Sequence, residues 1–72
     1  MQIIETLADE LAKDVLAAIE KTGNDKMADQ ISEVIGASSQ TMQEAFLTAV
    51  RVRRAEARAR ALLAELSGGG QG

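Results

Sequence analysis

The chain has 72 residues, a net charge of −3 and no cysteine, histidine or proline, so it is long enough for one domain but too short to bury a large core alone. Apolar residues make up 46% of it and aromatic residues only 1%, a composition typical of closely packed helices rich in alanine and aliphatic side chains. The absence of cysteine excludes disulfides and thiolate chemistry. Charges interrupt every apolar run well short of the roughly 20 residues that a membrane span requires. We therefore predict an all-α, cytoplasmic protein that does not enter a membrane.

The first predicted helix covers about residues 2–22. One of its faces is apolar at the three- and four-residue steps of a helix, through Ile4, Leu7, Leu11, Val15, Ala18 and Ile19. Gly23 supplies the stop signal, because glycine adopts the left-handed conformation that ends a helix without a steric penalty. We expect this apolar face to lie against the rest of the chain.

The second predicted helix covers about residues 25–35, and Asn24 or Asp25 is its predicted cap. Gly36 follows a short amphipathic run. We predict that Gly36 ends this helix in the left-handed conformation and is the pivot of a tight turn into the next one.

The third predicted helix covers about residues 39–67 and is the longest element. Two caps compete for its first turn. One is the hydroxyl of Ser38 or Ser39, and the other is a capping box made by Thr41 and Glu44.

The predicted fold is therefore all-α, with three helices at about residues 2–22, 25–35 and 39–67. Residues 1–67 are predicted to form one helical domain. The glycine-rich segment 68–72 offers nothing to pack and is predicted to be disordered.

Residues 28–47 carry the most informative pattern in the chain. Ser32 is small enough to let two helices approach closely, and apolar residues fall where a helix-turn-helix buries its mutual contact, at Ile31, Ile35, Ala37, Met42 and Ala45. The segment resembles the helix-turn-helix DNA-binding motif, in particular the tri-helical form of tetracycline-repressor-like regulators. In that form a preceding helix, here around residues 14–22, braces the pair.

The resemblance implies a set of DNA contacts. Base edges would be read from the start of the third helix, by Ser38, Ser39, Gln40 and Gln43. Arg51, Arg53 and Arg54, farther along the same helix, would reach the phosphate backbone. Because Glu44 lies within this face and the pI is about 4.8, DNA affinity would require a dimer or higher oligomer.

A second apolar stripe distinguishes the end of the third helix from its beginning. The first half points Met42, Ala45, Phe46, Ala49 and Val50 towards the other helices. The second half has a heptad seam made of Val52, Ala55, Ala59, Leu62 and Leu66, widened by Leu63. At about 100° per residue the two stripes point in different directions, so we predict that the seam pairs with another copy. The alternative is that the third helix bends and the first helix covers both stripes.

The charges are divided between the two halves of the chain. Residues 1–36 contain three lysines and eight carboxylates, a net charge of −5, whereas residues 37–72 contain five arginines and three carboxylates, a net charge of +2. This polarity suits head-to-tail or antiparallel self-association, and it equally suits an acidic partner at the basic end.

The sequence offers no candidate catalytic or metal site. Without histidine, cysteine or tyrosine, acid–base and nucleophilic chemistry lacks its usual groups, and no serine or threonine has a base at a recognisable spacing. Glu10 and Asp14 share a helix face one turn apart and could hold a hard cation together with Glu5 or Asp9. We interpret them as a solvated acidic face, because Mg²⁺ and Ca²⁺ need oxygens from more than one element. We predict a non-enzymatic protein without cofactor, metal or small-molecule substrate.

Two functions from different classes stay open. The first is a small helix-turn-helix DNA-binding protein, either a regulator or a phage-type DNA-recognition subunit similar to a small terminase, acting as a dimer or higher oligomer. The second is a helical interaction and oligomerisation module that engages another protein and does not bind nucleic acid. The first is the leading prediction from the sequence.

Overall fold

The computed structural model describes residues 2–68, which form three helices and contain no strand. They are α1 (Gln2–Thr22), α2 (Met27–Ser38) and α3 (Gln40–Leu66). The predicted all-α class is confirmed, and so are the limits of the first helix. The predicted disorder of segment 68–72 falls, apart from Gly68, outside the described residues.

The turn between α1 and α2 is built around Gly23 and Asn24. Gly23 has a φ of +75°, and its N–H donates to the carbonyl of Ile19 at 2.7 Å, so its predicted role as the stop of α1 is confirmed. The Asn24 side chain accepts from the backbone N–H of Lys26 at 3.1 Å. Asn24 therefore shapes the turn, and the predicted cap at Asn24 or Asp25 is wrong, because Lys26 takes the N-cap position of α2 without a side-chain hydrogen bond.

Gly36 is not the pivot between α2 and α3, so that prediction is wrong. Positive φ among the glycines of residues 2–68 occurs at Gly23 and Gly68, and α2 continues through Gly36 to Ser38. The chain breaks at Ser39, whose φ of −154° and ψ of 104° are extended. The Ser39 hydroxyl accepts from the backbone N–H of Met42 at 3.1 Å. An extended, capping serine reverses the chain by itself, so no left-handed residue is needed.

The core lies where the three helices meet. Its buried apolar residues are Ala8, Ala12, Val15, Ala28, Phe46 and Val50. The predicted apolar face of α1 is confirmed at Val15, which is buried, and at Leu11 and Ile19, which pack against the core, whereas Leu7 is 48% exposed and the alanines beside this face are buried. Small side chains let α1 approach the large ring of Phe46 closely. Ala37, predicted to lie in the contact between α2 and α3, is exposed.

One ion pair fastens α1 to α3. Nε and one terminal nitrogen of Arg53 donate to the two carboxylate oxygens of Asp9, each at 2.8 Å. The pKa of Asp9 lies below its ordinary value, chiefly because the carboxylate accepts hydrogen bonds from Arg53, an effect that desolvation opposes. The bridge holds the first half of α1 beside the middle of α3.

We expect Asp9→Asn to destabilise the fold at neutral pH, and to do so less as the pH falls. A carboxyl with a lowered folded-state pKa contributes stability above its ordinary pKa, here 3.8, and loses that contribution as the pH falls through the lower value. Thermal unfolding of both proteins between neutral and strongly acidic pH measures this difference. Asp14→Asn, which removes an exposed carboxylate of the same helix that makes no ion pair within residues 2–68, is the control for the loss of one charge. An Asp9→Asn difference that does not change with pH would contradict a stabilising role for the bridge.

Candidate helix-association surface

The second half of α3 extends beyond the core. Val50 is the last buried residue of α3, Arg53 is the last half-buried one, and every residue from Arg54 to Leu66 is exposed. We name residues 54–66 the α3 arm. At about 1.5 Å per residue the arm is roughly 20 Å long.

The predicted seam lies along this exposed segment. The exposed fractions are 60% for Val52, 54% for Leu62, 60% for Leu63 and 77% for Leu66, and the seam residues Ala55 and Ala59 are exposed as well. The alternative in which α1 covers both stripes is therefore not observed among the described residues. Large apolar side chains repeated on one exposed helix face mark a contact surface.

The seam also continues towards the start of α3, a feature that the sequence analysis missed. Three- and four-residue steps lead back from Val52 to Thr48, Ala45 and Thr41. Thr41 and Thr48 are exposed and Ala45 is half-buried. The heptad spacing alone would have revealed these positions, but the two threonines interrupt the apolar pattern. We name the complete row the extended seam; it consists of Thr41, Ala45, Thr48, Val52, Ala55, Ala59, Leu62 and Leu66.

An open groove of about 400 Å³ covers the first half of the extended seam. It is lined by Glu5, Thr41, Glu44, Ala45, Thr48, Ala49 and Val52. The short side chains of Ala45 and Ala49 form the floor of the groove and make it deep. Glu5 of α1 lines the groove from the side opposite α3. The groove is thus an apolar depression at one end of a seam whose other end is formed by exposed leucines.

The arginines of α3 fall into two groups. Arg53 is bound to Asp9, and Arg60 is bound to Glu56 at 3.0 Å. Within residues 2–68 no ion pair engages Arg51, Arg54 or Arg58, and all three are exposed. Their spacing places them on one side of the helix.

The residues predicted to read DNA are placed differently from one another. Ser38, the last residue of α2, and Gln40, the first of α3, are exposed. The Ser39 hydroxyl serves as the cap of α3. The side-chain amide of Gln43 donates to the backbone carbonyl of Ser32 at 3.0 Å and is partly buried against α2. A base contact by Gln43 would therefore require breaking a bond that ties α3 to α2.

Gly36 is needed for this position of Gln43. A Cβ added at residue 36 would overlap the amide end of the Gln43 side chain. We expect Gly36→Ala alone to change stability little, because the helix-propensity gain of about 0.5–1 kcal/mol is offset by loss of a hydrogen bond worth about 0.5–1.5 kcal/mol. In a Gln43→Ala background the same substitution should be stabilising by roughly 0.5–1 kcal/mol.

A double-mutant cycle by urea unfolding measures this coupling. Equal effects of Gly36→Ala in the two backgrounds would contradict the contact between Gly36 and Gln43.

No family model, curated protein or solved structure matches the chain. Across residues 2–68 no three carboxylates converge on a point where a metal ion could be held. No helix in the described part of the chain combines the length and apolar character needed to cross a membrane. The fold and its surface define a three-helix protein whose last helix extends beyond the core with an exposed apolar seam.

Proposed function

We propose that the protein is a non-catalytic helical self-association module, in which the seam of α3 pairs with the same surface of another copy. The observation that supports this most strongly is the exposure of Val52, Leu62 and Leu66 at heptad spacing on the α3 arm. Heptad spacing is what a helix needs in order to present one continuous stripe to a second helix.

The energetics favour a reversible assembly. Complete burial of a leucine or valine side chain is worth about 1.5–3 kcal/mol, and the seam side chains are already partly shielded in the single chain. Bringing two chains together costs roughly 4–15 kcal/mol. The gain and the cost are of similar size, so the assembly should depend on protein concentration.

The concentration dependence of thermal unfolding tests this proposal. Association of folded chains stabilises them by mass action, so the unfolding midpoint of the unmodified protein should rise with concentration. Far-ultraviolet circular dichroism from low to high micromolar protein measures it. A midpoint that is the same throughout that range would count against self-association.

A second candidate function, DNA binding through the helix-turn-helix, is favoured by a separate observation. Ser38 and Gln40 are exposed where α2 meets α3, and Arg51 and Arg54 are exposed farther along α3, with no ion pair to them in residues 2–68. An assembled pair would present two copies of the exposed Ser38, Gln40 and Arg54. We rank it second because Ser39 and Gln43 use their polar groups within the chain and the net charge is −3.

A salt-dependent mobility shift with mixed-sequence DNA tests the second candidate. Replacing Arg54 with alanine should weaken binding to all sequences and flatten its salt dependence, whereas Gln40→Ala should reduce only the discrimination among sequences. Arg60→Ala is the matched control, because that guanidinium is already paired with Glu56. If the assembled protein binds no DNA at low salt, the DNA function is excluded and the self-association module stands alone.

A further inference from the structure

We infer that the second copy pairs antiparallel, so that Leu66 of each chain enters the groove of the other beside Thr48, and Arg51 of each chain pairs with the partner's Glu65. The inference rests on the proposed self-association and specifies its orientation and its register. It also gives the groove an occupant.

The distribution of side-chain size along the extended seam favours the antiparallel orientation. We call the start of the seam its narrow end, because its side chains are small, at Thr41, Ala45 and Thr48. We call the other end its wide end, because its side chains are large, at Leu62 and Leu66. An antiparallel pair places the wide end of each chain on the narrow end of the other. A parallel pair would stack leucine on leucine at one end and leave two grooves facing each other. Close packing requires large side chains to meet small ones.

One register matches the seam to the groove. The twofold axis crosses the pair at the level of Ala57 along the helix. Each layer of the pair is then formed by two seam positions that lie at equal distances from the axis, one from each chain. These layers pair Thr48 with Leu66, Val52 with Leu62 and Ala55 with Ala59, and each occurs twice. The central alanine layers let the two helices approach closely, and the outer layers place Leu66 on the floor of the partner's groove.

The charges along one flank of the seam agree with this register and disfavour the one that brings Leu66 beside Thr41. Glu44, Arg51, Arg58 and Glu65 follow each other at seven-residue intervals, so they lie on the same side of the seam. In an antiparallel pair this flank faces the same flank of the partner. In the register with Leu66 beside Thr48, Arg51 meets the partner's Glu65 on both sides of the axis.

Shifting the chains by one heptad, so that Leu66 lies beside Thr41, would replace these opposite-charge contacts with like-charge contacts. Arg51 would then meet the partner's Arg58, and Glu44 would meet the partner's Glu65. The favoured register has two like-charge contacts near the axis, between Arg58 and its own counterpart on this flank and between Glu56 and its own counterpart on the other flank, where Arg60 already binds Glu56. Each of these contacts occurs once, whereas the contact between Arg51 and Glu65 occurs twice. In a parallel pair, Arg51 would instead face the partner's Glu56, a carboxylate that Arg60 of its own chain already binds.

Engineered disulfides test the orientation, because the unmodified chain has no cysteine. Full-length Val52→Cys and Leu62→Cys proteins are oxidised separately and as a mixture. We expect a disulfide dimer from the mixture and none from either protein alone, since the two copies of each position would lie roughly 15 Å apart along the axis. In a parallel pair each variant would cross-link to itself.

Two further mixtures test the register. Leu66→Cys should cross-link with Thr48→Cys and should not cross-link with Thr41→Cys. Cross-linking to Thr41→Cys instead would overturn the assigned register and the placement of Leu66 beside Thr48.

Charge reversal gives a second readout that needs no disulfide. Arg51→Glu and Glu65→Arg should each weaken self-association by roughly tenfold, and the double variant should restore it. The two residues are separated by roughly 21 Å along one helix, so rescue reports a contact between chains. Arg54→Glu, which reverses a charge on the same side of the helix but farther from the seam than Arg51, is the control.

The outcomes separate this inference from the proposed function. Self-cross-linking of both single variants, or failure of the double variant to rescue, would overturn the antiparallel register while leaving self-association intact. A chain that stays monomeric and forms none of these disulfides would overturn both.

Discussion

Replacing Phe46 with alanine should lower the free energy of unfolding by about 3–5 kcal/mol, the largest stability effect we expect from any single substitution. Phe46 is the only aromatic residue of the chain and is fully buried. Ala8 and Ala12 of α1 belong to the same core, and short side chains cannot refill the space that the ring would leave. A small domain has only about 5–15 kcal/mol of stability in total, so the variant should be largely unfolded at physiological temperature.

Urea unfolding followed by far-ultraviolet circular dichroism measures this loss. Val34→Ala is the control, because Val34 is 71% exposed on α2 and its removal should change stability by no more than about 0.5 kcal/mol. If Phe46→Ala unfolds at the same urea concentration as the unmodified chain, the core is not organised around this ring.

Leu62→Glu should weaken self-association by at least about 100-fold, the effect of burying an unpaired charge that costs roughly 3–5 kcal/mol. Leu62 is 54% exposed in the single chain and lies on the α3 arm, away from the core. The variant should therefore be a monomer that keeps its three helices. Sedimentation velocity and circular dichroism on the same samples measure assembly and folding separately.

The matched control for Leu62→Glu is Ala64→Glu. It adds the same charge to an exposed position on the opposite side of the same arm. Ala64→Glu should assemble as the unmodified chain does. Equal losses of assembly in both variants would show that charge on the arm, rather than burial of the seam, determines association.

The sequence predicted the helices better than the turns between them. Apolar periodicity and the absence of proline were sufficient for the all-α class and for the limits of α1. Gly36 misled the prediction because glycine has two uses, a left-handed conformation and close approach by a neighbour, and only the structure shows that Gln43 occupies the space beside it. Ser39 was correctly considered as a cap, but no sequence signal ranks a one-residue break above a glycine turn.

The exposed seam could be predicted because it depends on spacing alone, which one helix determines. Its continuation through Thr41 and Thr48 was missed because polar side chains interrupted the pattern. The groove could not be predicted, since it requires Glu5 of α1 beside α3, a placement that depends on how the two helices pack. The same limit applies to Gln43, because a polar side chain used within the fold is indistinguishable in sequence from one offered to a ligand.

Sedimentation equilibrium of the unmodified chain tests the proposed self-association most directly. We expect the average mass to rise from the 7.6 kDa of a single chain towards twice that value as the concentration increases through the micromolar range. A well-folded protein that keeps the mass of a single chain at high micromolar concentration would contradict it.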